Sequence, residues 1–145
     1  MHPIAIALIL FTLAVWLFAF WRGGAAERWG AAVVAGNQII TLGFILAGGR
    51  GQTPLLVQLT VDGASAVALL LILLRFGRPW LGVAMLLYAA QFTLQSIYLV
   101  LEINKNYWHF VVNNVNFVAI HLALAFGTAQ HWIQTRRAKS AKILS

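Results

Sequence analysis

The chain has 145 residues, 61% hydrophobic and only 9% charged, with ten Lys or Arg against three Asp or Glu and a net charge of +7. So apolar and charge-poor a composition excludes an ordinary soluble domain and fits a single unit lying mostly in lipid. The chain has no cysteine, which excludes disulfides, thiol redox chemistry and thiolate metal sites.

Five stretches reach the length of about 20 apolar residues that a bilayer requires. They are Ile4–Trp21, Trp29–Ala47, Leu55–Leu74, Pro79–Leu101 and Trp108–Trp132. The first begins after Met-His-Pro and is followed, not preceded, by Arg22, which is the polarity of an uncleaved anchor and not of a secretory signal. Gly23 and Gly24 end it. Gly48 to Pro54 punctuate the second stretch, Arg75 to Pro79 the third and Glu102 to Asn106 the fourth. Pro54 and Pro79 fall where a helix begins without losing a needed hydrogen bond. The strict alternation of a transmembrane β-barrel is missing, so the fold class is all-α integral membrane. Gly48-Gly49-Arg50-Gly51 lacks the lysine and the glycine spacing of a phosphate loop and reads as a turn.

The basic residues assign the sides. Arg22, Arg28, Arg75, Arg78, Arg136, Arg137, Lys139 and Lys142 would share one face of the membrane, and Arg50 and Lys105 the other. By the positive-inside rule the N-terminus is outside and the C-terminus cytoplasmic, in a bacterial inner membrane. Trp21, Trp29, Trp80 and Trp132 are expected at the cytoplasmic interface and Trp108 at the outer one. The same logic removes nucleic acid from the partners: the positive charge sits where topology puts it, and the basic tail after Trp132 is expected to touch anionic lipid.

Polar residues mark the inward faces. In the fourth stretch Tyr88, Gln91, Gln95, Tyr98 and Glu102 fall within an arc of roughly 80°. In the third, Gln58, Asp62 and Ser65 share roughly 60°, and in the second Asn37, Gln38 and Thr41 share roughly 100°. The fifth presents Asn113 and Asn116 on one flank and Asn114, His121 and Thr128 on the other. The first carries only Thr12, so it is expected to be peripheral, against a bundle of helices two to five with a polar interior. By depth these residues gather near the midplane and in the outer half, which fits a pocket open to the outer side and equally a dry network. Small residues at Ala119, Ala123 and Gly127, and at Ala32 and Gly36, allow close helix approach within the chain or between copies of it.

Interhelical Asn, Gln, Ser and Thr are ordinary glue, contributing about 0.6 kcal/mol each. Asp62 differs, because a charge near the bilayer centre costs at least about 2.5–3.5 kcal/mol. It must be protonated or held by neighbours such as Gln58, Asn113 or His121. His121 reads as a core histidine, a relay partner of Asp62, or a tetrapyrrole ligand. Bis-histidine haem needs histidines facing each other from separate helices, whereas His109, His121 and His131 share one helix and His2 lies beside the terminus.

Gly23-Gly24-Ala25-Ala26-Glu27-Arg28, Asp62, Arg78-Pro79-Trp80 and Gln91 together resemble a group of small multi-pass inner-membrane proteins of alphaproteobacteria. The resemblance implies a membrane bundle and no particular activity. Five helices and six tryptophans are also similar to the porphyrin-binding tryptophan-rich sensory proteins, but that family's Trp- and Pro-rich motifs are missing.

The expectation is a non-enzymatic binding or accessory protein. Either a polar intramembrane site takes a small-molecule ligand, or lipid-exposed helix faces dock into a larger membrane complex or a homo-oligomer. The alternative is proton-coupled transport, or tetrapyrrole- or quinone-linked electron transfer, through Asp62 and His121. An acid–base enzyme would need a nucleophile or metal trio beside that pair, and the sequence shows neither. The candidate polar-core residues are Asp62, His121, Gln58, Gln91, Gln95, Tyr98, Asn113, Asn114, Asn116, Asn37 and Gln38.

Overall fold

A computed structural model of the protein describes residues 3–48, 54–102 and 107–144. It holds five helices: α1 (Pro3–Arg22), α2 (Ala25–Gly48), α3 (Leu55–Phe76), α4 (Pro79–Val100) and α5 (Tyr107–Leu144). No strand occurs among the described residues. α2 to α5 are each long and apolar enough to cross a membrane, whereas α1 offers a shorter apolar stretch, Ile6–Arg22. Large aliphatic side chains face outward on every helix, with Leu17 69%, Leu74 75% and Leu86 63% exposed. An exterior of this kind is consistent with a multi-pass membrane protein. Arg50, Lys105, His2 and the turn at Gly49–Gly51 lie outside the described residues.

Local chemistry fixes the helix ends. α3 stops at Gly77, whose left-handed φ of 62° lets its amide reach the Leu73 carbonyl at 2.7 Å. Arg78 is extended and Pro79 opens α4, so the two helices form a tight hairpin. α2 starts four residues earlier than its apolar run: Glu27 reaches back to the Gly24 amide at 3.0 Å, the acidic half of a capping box. α4 ends before Glu102, which takes a positive φ of 51° in an exposed turn. This residue was expected on the inward face of the fourth helix; the chain has turned before reaching it.

Helices α2 to α5 form the bundle, each packed on its chain neighbour, and α1 lies in the seam between α2 and α5. α1 is thus peripheral to α3 and α4, but it is not simply a lipid-facing helix. Thr12, Val15 and Ala19 are buried, and Phe11 and Trp16 pack inward. The apolar core occupies the half of the bundle near the α3–α4 turn, around Ala19, Ala31, Val34, Leu69, Leu81, Ala84 and Leu124. Packing and hydrogen bonds hold apolar helices of this kind together, and small residues let the backbones close in.

Trp80 departs most from expectation. Trp21 and Trp29 are exposed at the basic end, and Arg22 and Arg136 lie over the Trp132 ring at 5.7 and 4.3 Å. Trp80 is instead 5% exposed. A Cβ placed on Gly30 or on Gly127 would collide with its ring, so the indole is seated between two helices at their barest points. Its Nε1 donates to Glu27 Oε1 at 3.3 Å, and Glu27 is itself buried. Beside this pair, Arg78 contacts His131 Nδ1 and Gln134 Oε1, each at 3.4 Å. The half of the bundle away from the expected gathering of polar residues therefore contains a buried carboxylate joining α2 to α4. A glycine followed three residues later by Glu, at the head of an apolar run, was the sequence signal for it.

Candidate functional site

The polar residues converge in the other half of the bundle. Asp62 on α3 is its centre. Asn37 Nδ2 on α2 donates to Asp62 Oδ1 at 3.0 Å, and Gln95 Nε2 on α4 donates to Oδ2 at 3.0 Å. Asn37 also donates to Ser65 Oγ at 3.0 Å, and Ser65 passes its own hydrogen to the Val61 carbonyl at 2.7 Å. Each carboxylate oxygen therefore accepts from one amide, and three helices meet at one side chain. The expected neighbours Gln58, Asn113 and His121 do not supply these two donors.

A second chain of amides joins α4 to α5. Asn116 Nδ2 donates to the Leu87 carbonyl at 2.9 Å and to Gln91 Oε1 at 3.1 Å, and Gln91 Nε2 donates to Asn113 Oδ1. Between the two networks lies a cavity of about 120 Å³. Its walls include Asn37, Gln38, Gln58, Asp62, Gln91, Gln95, Asn113, Asn116 and His121, with Thr41, Tyr88, Phe117 and Ile120 completing them. Helical periodicity singles out polar positions but not the aromatic and aliphatic walls, which is why Phe117 and Ile120 were missed. Tyr98 lies off the cavity, edge-on to His109 with ring centroids 4.7 Å apart. Asn114 lies off it as well, donating to the Phe110 carbonyl of its own helix at 2.7 Å. An Asn on the flank of a helix has that local alternative, and here it takes it.

His121 borders the same cavity but does not bond to Asp62. Its Nδ1 lies 2.9 Å from the Phe117 carbonyl, which can only accept, so this nitrogen donates. Its Nε2 is buried without a partner. The ring is enclosed by Phe117 at 4.4 Å, Phe11 at 6.1 Å and Trp16 at 6.5 Å, the last nearly parallel at 26°. A direct proton relay between Asp62 and His121 therefore has no hydrogen bond to run along. A tetrapyrrole does not fit either, because the cavity is smaller than the macrocycle and His121 is fully enclosed. Among the described residues no three His, Asp or Glu side chains come close enough to share a metal ion.

Comparison with protein-family models, with curated proteins and with solved structures finds no match to this chain. The functional reading therefore rests on the cavity itself.

Proposed function

We propose that the protein is a non-enzymatic, multi-pass binding protein of the bacterial inner membrane whose intramembrane cavity takes a small ligand. The observation that carries this reading is the unfinished polar interior. Gln95 and His121 are 1% and 0% exposed, both line the cavity, and both keep a buried polar atom, Oε1 and Nε2, without a partner. In hydrocarbon an unmet polar atom is costly, and interhelical glue gains nothing by leaving two of them at one void. A ligand or ordered water supplies what the helices do not.

In this reading all five helices cross the membrane, with the N-terminus outside. The ends of α1, α3 and α5 carrying Arg22, Arg75, Arg136 and Arg137 then lie on the cytoplasmic side, and the cavity lies towards the outer half. The test is a density map of the full chain in lipid nanodiscs, together with mass spectrometry of small molecules that co-purify in mild detergent. One ligand per chain in the Asp62 cavity is the expected result. A cavity holding only water, with no co-purifying molecule, would reduce the interior to structural glue.

A further inference from the structure

Hydrogen bonding around the cavity is unbalanced. Asn37 commits its two Nδ2 hydrogens to Asp62 and Ser65, and Asn116 commits its two to Leu87 and Gln91. Gln95 gives one to Asp62. The buried chamber atoms left without a partner are both acceptors, Gln95 Oε1 and His121 Nε2, and they line the same cavity as the Asp62 carboxyl group. Among the described residues no Lys or Arg lines the space, so within them Asp62 has hydrogen-bond donors and no counter-charge. Intramembrane acids ordinarily face an opposite charge or a water-filled path.

The polar cavity has an apolar neighbour. Gln38, Thr41 and Phe117 also line a second space, an apolar cleft of about 360 Å³ walled by Leu13, Ile39 and Leu42 between α1 and α2. Thr12, which is 8% exposed, and Trp16 border this cleft, and Thr12 Oγ1 and Trp16 Nε1 are buried without partners. A polar chamber with two unmet acceptors thus shares a wall of Gln38, Thr41 and Phe117 with an apolar slot along the outside of the bundle.

We infer that the site takes a lipophilic amine, its ammonium group in the polar chamber against Asp62 and its hydrocarbon tail in the cleft between α1 and α2. The inference rests on the reading of the cavity as a ligand site and adds the chemistry of the ligand. An ammonium group has three donors and no acceptor, and it brings the charge that Asp62 lacks. A neutral alcohol brings one donor and no charge. The α1–α2 cleft admits the tail from the lipid without passage through water.

Isothermal titration of the full chain in zwitterionic nanodiscs tests this, using decylamine and decanol as matched probes with empty nanodiscs subtracted. Saturable binding of one decylamine per chain is expected, at least about ten-fold tighter than decanol, with the preference lost in Asp62→Asn. Leu42→Trp, which fills the cleft away from the Asp62 hydrogen bonds, should weaken decylamine while leaving propylamine unchanged. Equal binding of decylamine and decanol by both wild type and Asp62→Asn would overturn the amine assignment and leave the ligand site standing. Saturable binding of neither probe would remove both. Should Asp62→Asn not fold, the wild-type amine-to-alcohol ratio and the Leu42→Trp result decide alone.

Discussion

Asp62 keeps its place through two amides from two different helices, so removing one of them strands a carboxylate oxygen in the interior. Gln95→Leu should cost about 1–3 kcal/mol of stability, the range for a buried group left without its partner. Thermal unfolding in detergent measures this, and an unchanged midpoint would mean that the bond to Asp62 is not what the glutamine contributes. At the other end, Gly127→Val drives a branched side chain into the Trp80 ring. A loss of about 1–3 kcal/mol or more is expected from overpacking. Gly36, with open space where its Cβ would be, should accept alanine with no such loss.

At the scale of the element, α1 shows where sequence and structure part. Its single polar residue and unbroken apolar run marked it as peripheral, and it does stand outside the other four helices. Periodicity could not show that Phe11 and Trp16 would cover His121, because an aromatic ring on an all-apolar helix carries no label for lipid or protein. The inward positions of α2, α3 and α4 were legible, since Asn37, Asp62, Gln91 and Gln95 stand out against Leu and Ala at helical spacing. Trp80 was not: at a helix start beside Arg78 it has the sequence signature of an interface anchor, and only the glycines of two other helices make room for it. Trp16→Ala should uncover His121. Diethyl pyrocarbonate should leave His121 unmodified in the wild type and acylate it in the variant, as peptide mass spectrometry would show. Acylation of wild-type His121 would mean that α1 does not cover the ring.

For the whole molecule, the arrangement of charge is the main guide. α5 runs for 38 residues, about 57 Å at 1.5 Å per residue, against a hydrocarbon core of about 30 Å. Residues 133–142 are exposed and carry Arg136, Arg137, Lys139 and Lys142, so the basic tail continues as helix past the bundle. Because the chain has no cysteine, Ser140→Cys gives a single reactive thiol. Membrane-impermeant maleimide should label it in inverted vesicles and not in intact cells; labelling from outside would reverse the topology.

With the proposed membrane topology, the hydrogen bonds at Asp62 also bear on how the chain would enter the bilayer during synthesis. Both amides that hold the carboxylate come from the helices just before and just after α3 in the chain, Asn37 on α2 and Gln95 on α4. Neither comes from α5. In the topology proposed above, Asp62 would not have to wait in lipid for the last helix: Asn37 would precede it into the bilayer, and Gln95 would follow on the other arm of the same hairpin. α5 would then join a trio whose most costly residue is already settled, and its arrival would enclose the chamber.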